Sequence, residues 1–289
     1  MTKLHIQDVQ HMYLTTKSAT TALEHINLSI EEGEFVSFLG PSGCGKTTLL
    51  SIIAGLIEPT SGSVTIDGEN IGTSVPNIGY MLQQDYLFPW KTIKENILLG
   101  LEIRGQLTDE TEKKALLLLK EIGLQGVDSL YPHQLSGGMR QRVALVRTLA
   151  IDPAILLLDE PFSALDFQTK LKLEELVSKT LMTYQKTAVL VTHDIGEAIA
   201  MSSRIFLFSA KPGKIAKTFT VPSILRTLSP FEARQHPVYN DLFMDIWKEL
   251  DQLETHLLPR YSSRKLPSQG SRRKTISTER AADHVLSLF

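Results

Sequence analysis

The sequence predicts an α/β fold with a parallel sheet at its core, and three stretches of the chain carry this prediction. An apolar run, Glu34–Leu39, leads directly into a glycine-rich loop, and good helix formers follow that loop. Further along, the short apolar runs Ile155–Leu158 and Thr187–Thr192 are separated by a helical stretch over Thr169–Gln185. Short apolar strands that alternate with helices are typical of parallel sheets covered on both faces.

The first part of the chain is predicted to be mainly strand. Apolar and polar residues alternate in Leu4–Val9 and in Ile26–Ile30, and Ser63–Gly68 ends in an Asp-Gly turn pair. Alternation over this length favours half-buried strands. The residues after the glycine-rich loop, Lys46–Ala54, favour a helix instead.

The middle of the chain, from about residue 91 to residue 150, changes to a helical pattern. Glu112–Ile122 carries apolar residues over a face wide enough for a packed helix, and Gly123 fits the position just after its end. We therefore expect an inserted helical subdomain here.

The C-terminal part is predicted to hold one packing helix and a tail. An amphipathic helix that packs on the core is predicted over about residues 237–258. The apolar residues that recur there at helical spacing are Leu242, Ile246, Leu250, Leu253 and Leu257. The stretch 259–289 is rich in Ser, Arg and Lys. Residues 260–289 contain seven Lys and Arg residues against two acids, a net charge of +5. This composition predicts a basic, disordered tail.

Composition excludes several classes of protein. The chain of 289 residues has a formal net charge of −2, which gives no overall basic field for nucleic acid. Its longest apolar runs are far shorter than the roughly 18 residues of a membrane span. The N-terminus has no signal-peptide pattern, and a single cysteine, Cys44, suits a reducing compartment. We therefore expect a cytoplasmic protein without a nucleic-acid partner.

The glycine-rich loop fits the phosphate-binding pattern G-x-x-x-x-G-K-[ST]. Lys46 is expected to reach the β- and γ-phosphates of a nucleotide, and the Thr47 hydroxyl to bind Mg²⁺. A strand before the loop and a helix after it are the context that this interpretation requires. The nucleotide-binding residues predicted here are Gly40, Pro41, Ser42, Gly43, Cys44, Gly45, Lys46, Thr47 and Thr48.

Two carboxylates end the apolar run at 155–158. Open α/β sheets place ligand groups at such strand ends, so Asp159 is expected to hold Mg²⁺ and Glu160 to polarise the attacking water. An isolated Asp-Glu pair is more often a polar cap, but its pairing with the phosphate loop favours the catalytic interpretation. Tyr13, Gln83 and His193 would each be weak candidates alone.

The order of these motifs resembles the nucleotide-binding subunit of an ABC transporter. The motifs are the phosphate loop, Gln83, Leu135–Arg142 (LSGGMRQR), Ile155–Pro161 (ILLLDEP), Ser163–Asp166 (SALD) and His193, and the resemblance covers roughly residues 4–255. It implies a P-loop NTPase (RecA-like) core with an antiparallel β subdomain and an inserted α-helical signature subdomain. Residues 1–255 would then form one ABC ATPase domain.

The resemblance also implies how the site works, with ATP and Mg²⁺ as cofactors. In a head-to-tail homodimer, each ATP lies between one P-loop and the signature of the other copy, namely Ser136, Gly137, Gly138 and the cross-dimer contact Asp166. Tyr13 becomes the aromatic that stacks on adenine, and Gln83 the ligand of Mg²⁺ and water. Glu160 becomes the general base and His193 the residue that senses the γ-phosphate.

A finer resemblance is to importer ATPases of the nitrate, sulfonate and taurine type. It is carried by Gly79–Trp90, Tyr131–Arg142 and Lys211–Ile215, and most sharply by Pro89-Trp90, a segment that faces the membrane subunit in such importers. The resemblance implies a separate permease, an indirect role for a solute-binding protein, and a place on the cytoplasmic face of the membrane. Nitrate, sulfonates and taurine are the solutes it suggests, with thiamine-precursor-like compounds as an alternative.

Other ATP-using classes fit the sequence less well. A soluble ABC-type ATPase of DNA repair usually carries a long coiled-coil insertion, and sustained heptads are missing between the P-loop and the signature. A translation-associated tandem ATPase needs two P-loops, and this chain has one. A P-loop kinase or GTPase would lack the LSGGM motif. The importer ATPase is therefore the leading interpretation.

Overall fold

A computed structural model of the chain describes residues 2–16, 18–71 and 77–255. The chain divides into two compact units, Met1–Leu257 and Leu258–Phe289, and every described residue lies in the first. The basic tail predicted at 259–289 lies outside the described residues.

The elements follow one another along the chain with short connections. They are β1 (Thr2–Leu14), β2 (Ala19–Glu31), β3 (Phe35–Leu39), α1 (Lys46–Ile53), β4 (Ser61–Ile66), β5 (Glu69–Asn70), β6 (Ile78–Met81), α2 (Ile93–Ile103), α3 (Asp109–Glu121), a 3₁₀ turn (Pro132–Gln134), α4 (Gly137–Ala150), β7 (Ile155–Asp159), α5 (Phe167–Thr183), β8 (Thr187–Thr192), α6 (Ile195–Met201), β9 (Arg204–Ser209), β10 (Lys214–Thr220), α7 (Ser223–Arg226), α8 (Pro230–Gln235) and α9 (Pro237–Thr255).

The N-terminal strands form an antiparallel sheet of four, in the order β2-β1-β4-β5. The alternating residues of β1 and β2 place one face in the core, where Leu4, Ile6 and Ile30 are fully buried. The predicted turn pair, Asp67 and Gly68, connects β4 to β5 with positive φ at both positions, as a tight hairpin of this kind requires.

The second sheet has six strands in the order β10-β9-β3-β8-β7-β6. Neighbouring strands from β9 to β6 are parallel, and β10 pairs antiparallel with β9 at the edge. Every residue of β7 and β8 is buried, which explains their continuous apolar sequence. Because the strands are parallel, the P-loop after β3 and the residues that follow β6, β7 and β8 all meet at one edge of the sheet.

The remaining elements cover the sheet. Helices α2, α3 and α4 occupy the stretch predicted to be helical and share an apolar cluster that includes Leu98, Leu119 and Val143. Helix α9 starts where the packing helix was predicted, with Ile246 fully buried. Leu257, the last of the apolar residues predicted for this helix, lies outside the described residues. Among the described helices, none has the length and apolarity needed to cross a bilayer.

Candidate functional site

The P-loop runs from the end of β3 into the first turn of α1, and two of its glycines are required by close approach. Gly45 precedes α1 with φ +91°, and a Cβ there would lie 2.7 Å from Leu23 Cδ2. A Cβ on Gly40 would lie 2.7 Å from the carbonyl oxygen of Phe208. The loop therefore curves tightly and directs the N-terminus of α1, with its partial positive charge, toward the cleft.

Lys46 is buried inside this curve. Its ammonium donates hydrogen bonds to the carbonyl oxygens of Gly40, at 2.8 Å, and Pro41, at 2.9 Å. Burial raises the pKa of the neighbouring Cys44 thiol, although the Lys46 charge acts in the opposite direction. The thiol therefore stays protonated at neutral pH, and Lys46 supplies the positive charge of the loop.

A cleft of about 760 Å³ opens in front of the loop, a volume within the usual range for small-molecule sites. It brings together nine of the residues predicted from the sequence, namely Tyr13, Ser42, Gly43, Gly45, Lys46, Thr47, Thr48, Gln83 and Glu160. Four residues of β2, Ala19 to Ala22, and the turn residues Lys211 and Pro212 complete the lining. These six lining residues were not predicted, because no local pattern in the sequence connects them to the P-loop.

Tyr13 lies at the mouth of the cleft, where β1 ends. Its hydroxyl is 3.2 Å from the Thr48 hydroxyl, and its ring meets the ring of His11 edge-on, with centroids 4.6 Å apart. These two contacts hold the phenol ring while it stays substantially exposed. An aromatic ring held in this way can stack on a nucleotide base.

Asp159 is the last residue of β7 and is almost fully buried. Burial raises the pKa of its carboxyl group, a hydrogen bond with Thr47 and the Lys46 charge oppose this, and the neighbouring Glu160 charge adds to it. The Gln83 amide nitrogen donates to Glu160, which leaves the amide oxygen available to a cation. A hydroxyl, a carboxylate and an amide oxygen are ligands that suit Mg²⁺, so Thr47, Asp159 and Gln83 fit that ion.

Glu160 occupies the left-handed region at φ +48°, where the chain turns out of the sheet. Its backbone N–H donates to Val191 at 2.9 Å, which fixes the turn against β8. One carboxylate oxygen accepts a hydrogen bond from Gln83 Nε2 at 3.2 Å, and the other lies 3.3 Å from His193 Nδ1. Strained backbone of this kind is concentrated at functional sites. Through these two contacts the predicted catalytic residues Gln83, Glu160 and His193 meet at the sheet edge. They follow strands β6, β7 and β8, respectively.

The signature residues lie elsewhere. Ser136 caps α4 by accepting the Met139 N–H at 3.3 Å, and Asp166 caps α5 by accepting the Thr169 N–H at 3.0 Å. A Cβ on Gly138 would lie 3.3 Å from Leu165, so the start of α4 packs next to the segment that ends at Asp166. Ser136, Gly137 and Asp166 are exposed, and none of them lines the cleft.

Comparison with known proteins decides the family. An ABC transporter ATP-binding protein of Bacillus subtilis is 63% identical over 254 residues, which cover 88% of this chain and 98% of that protein. The chain belongs to the ABC transporter ATP-binding proteins. Residues 23–163 of this ABC ATPase match the ABC transporter family itself.

Two further relatives of the ABC ATPase are named as import ATP-binding proteins. The nitrate import ATP-binding protein NrtD of Synechocystis is 40% identical, with 75% of this chain and 82% of that protein covered. The taurine import ATP-binding protein TauB of Pelagibacter ubique is 41% identical, with 77% and 84% covered.

Solved structures confirm the predicted fold. The dimeric, post-hydrolysis ATP-binding cassette MJ0796 bound to ADP and Pi has a TM-score of 0.70 and 37% identity, and covers 76% of this chain and 99% of that one. The family and the P-loop NTPase fold predicted from the sequence are therefore confirmed, and ATP hydrolysis is the activity of the ABC ATPase.

Proposed function

We propose that this ABC ATPase is the energy-supplying subunit of an importer, and that it drives a small solute through a separate membrane permease. The import names of its relatives support this assignment. We extend the proposal to the solutes that those names specify, which are nitrate, taurine and aliphatic sulfonates. A solute-binding protein would deliver the solute to the permease from the far side of the membrane, with the ATPase on the cytoplasmic face.

The catalytic roles in this proposal follow from the geometry at the sheet edge. Glu160 is the general base, because its carboxylate is the acceptor between Gln83 and His193. Gln83 orients the attacking water, and His193 contacts the γ-phosphate. Mg²⁺ held by Thr47, Gln83 and Asp159 would neutralise charge on the phosphates. Tyr13 stacks on the adenine, which its exposed ring at the cleft mouth supports.

A homodimer completes the site. Ser136 and Gly137 are exposed at the N-terminus of α4, the half-buried Gly138 follows beside the segment that ends at Asp166, and all three lie outside the cleft of their own copy. The exposed N-terminus of α4 is a favourable contact for a phosphate. We propose that this turn closes over the ATP of a second copy, with residues 1–255 as the ATPase domain and about 91–150 as the inserted signature subdomain.

The observation that carries the importer assignment is an exposed aromatic strip directly after Gln83, which consists of Tyr86, Phe88 and Trp90. Trp90 is 71% exposed and its ring centroid lies 5.4 Å from that of Phe88. The buried side chain of Asn96 accepts the Phe88 N–H at 2.7 Å and donates to its carbonyl oxygen at 3.1 Å. Exposed aromatic rings on a fixed backbone are typical anchors of protein interfaces.

The aromatic strip is also tied to the signature helix. Arg147 of α4 donates to the carbonyl oxygens of Asp85, at 2.7 Å, and Tyr86, at 2.9 Å. Arg140 of the same helix forms an ion pair with Asp85 at 2.9 Å. A displacement of α4 would therefore be transmitted to the strip, which supports the proposal that the strip contacts the permease.

Substitution of Trp90 tests this proposal. About 140 Å² of a Trp side chain at this exposure remains available for burial. At ~25 cal/mol per Å², its burial contributes at most about 3.5 kcal/mol, which interface ordering reduces to about 2 kcal/mol. Trp90→Ala should therefore weaken binding to the reconstituted permease by about 30-fold and leave the ATPase rate of the free subunit unchanged.

The matched control is Trp247→Ala, because Trp247 is the other tryptophan of the chain and is 52% exposed on α9. Binding to the permease should survive this substitution. Equal affinity of the Trp90 variant and the wild type would reject the aromatic strip as the docking site. A chain that hydrolyses ATP normally but binds no permease would favour a soluble, non-transport role.

A further inference from the structure

Lys170 forms the centre of a charge cluster beside His193, and no motif predicted it. Its ammonium lies 2.6 Å from Asp194 Oδ2 and 2.6 Å from Glu197 Oε1. Burial alone would lower the pKa of Lys170, but the hydrogen bonds and the charges of the two carboxylates outweigh it and raise that pKa. The ammonium is therefore charged at neutral pH.

The two carboxylates of this cluster fix the residues on both sides of His193. Asp194 accepts the backbone N–H groups of Gly196 at 2.7 Å and Glu197 at 3.1 Å, and so caps α6. The second carboxylate oxygen of Glu197 accepts the Thr192 hydroxyl, and that hydroxyl in turn accepts the Asp194 N–H at 3.0 Å. Residues 192 and 194 are therefore both anchored to Lys170.

Within the part of the chain that the structure describes, the His193 side chain lacks a comparable anchor. Its side chain is 60% exposed, and its Nδ1 lies 3.3 Å from a carboxylate oxygen of Glu160. The direction of its imidazole therefore depends on the backbone at its two neighbours. Lys170 comes from a different element, α5, one helical turn after its N-cap Asp166.

We propose that Lys170 is a positioning residue that holds His193 against Glu160, which lines the nucleotide cleft. This inference rests on the catalytic roles proposed above for His193 and Glu160. Lys170 does not line the cleft and acts through the backbone around His193. A displacement of about 1 Å in a catalytic group can reduce a rate by about 100-fold, so the position of the imidazole has a large effect.

The first test compares three variants of α5. Lys170→Met removes the charge and keeps most of the side-chain length, Lys170→Arg keeps the charge, and Lys172→Met is the control on the exposed face of the same helix. We expect Lys170→Met to lower kcat at least ~10-fold while Mg-ATP affinity stays within ~2-fold. Lys170→Arg should recover kcat to within ~3-fold, and Lys172→Met should resemble the wild type.

A double-mutant cycle with His193→Ala separates positioning from a general structural effect. If Lys170 acts through His193, Lys170→Met should cost little further activity once the imidazole is gone. Additive losses would reject the proposal, and so would a normal kcat in Lys170→Met. If Lys170→Met does not unfold cooperatively, Lys170→Gln replaces it, since the amide can still donate to Asp194. Failure of both variants to fold would make Lys170 a requirement of the fold and reject the positioning role.

Variants of His193 and Glu160 distinguish an error in the proposed catalytic roles from an error in the role of Lys170. If His193→Ala and Glu160→Gln both hydrolyse ATP at the wild-type rate, the catalytic roles and the Lys170 inference are both wrong. If those two variants are impaired while Lys170→Met is normal, only the inference about Lys170 is wrong.

Discussion

Replacement of Glu160 by glutamine tests the general base with the least disturbance of the site. The amide oxygen of the variant can still accept from Gln83 Nε2, and its NH₂ group can donate to a neutral His193, so both contacts of the carboxylate have a substitute. The left-handed backbone at residue 160 is unchanged by this substitution. The change therefore removes the ability to accept a proton and little else.

The expected loss follows from the role of the carboxylate. A positioned general base contributes about 10²- to 10⁴-fold to a rate, so kcat of Glu160→Gln should fall by that factor, equivalent to ~3–5.5 kcal/mol of activation free energy. ATP affinity should not weaken, because the P-loop contacts are untouched. The Glu160 charge helps to raise the pKa of Asp159, so its removal also makes the buried carboxylate easier to ionise for Mg²⁺.

Phosphate release from purified protein measures kcat, and a fluorescent ATP analogue measures affinity. Size-exclusion chromatography with Mg-ATP should show a long-lived dimer of the variant, since ATP is bound and not consumed. Glu175→Gln, on the exposed side of α5, is the control for loss of one carboxylate. Turnover of Glu160→Gln within ~3-fold of the wild type would refute the general-base assignment.

Three other substitutions address the remaining roles. Lys46→Ala should weaken Mg-ATP binding by at least ~100-fold, because the charge that the P-loop surrounds is lost; titration calorimetry measures this, and unchanged affinity contradicts the role. Ser136→Arg removes the N-cap of α4 and should lower stability by about 1 kcal/mol while the monomer still folds, but it should abolish ATP-dependent dimerisation, which light scattering follows; normal hydrolysis by this variant would reject the shared site. Asp159→Asn should raise the Tm of the nucleotide-free protein at neutral pH. Because burial raises the pKa of Asp159, the wild type loses folding stability as pH rises through that pKa; the gain should therefore shrink as pH falls and vanish well below the ordinary aspartate pKa of about 3.9, where the carboxyl is protonated in both the folded and the unfolded state. A gain independent of pH would contradict this reasoning.

The strands of the N-terminal sheet show how far periodicity can predict a fold. Alternation indicated Leu4–Val9 and Ile26–Ile30, whereas the strands span Thr2–Leu14 and Ala19–Glu31. The pairing of β1 with β2 shifts register several times, and a residue in each strand takes positive φ. The buried positions change phase once in each strand, between Ile6 and Val9 and between Leu23 and Ile26, so the period-two pattern breaks although the strand continues.

Some residues of the site could be predicted from the local sequence, whereas others reach the site only through the packing of distant parts of the chain. The P-loop and the Asp159-Glu160 pair were predictable because local sequence, a strand followed by a loop, sets their geometry. Lys211 and Pro212 reach the cleft from a turn between two strands far along the chain, and no periodic pattern marks them. Lys170 looks like an ordinary surface lysine of an amphipathic helix, and its role emerges only when α5 and α6 pack together.

The packing of α5 gives the two nucleotide sites of the proposed dimer a physical connection. Asp166 caps this helix and lies on the exposed surface that would meet the second copy. One turn later, Lys170 fixes the backbone on both sides of His193, which contacts Glu160 of the same copy. A helix is stiff along its axis, so a displacement of its N-cap by an incoming subunit is transmitted to Lys170. In the proposed dimer, seating of the second copy against Asp166 would therefore influence the position of His193 beside Glu160, which connects the two sites through α5.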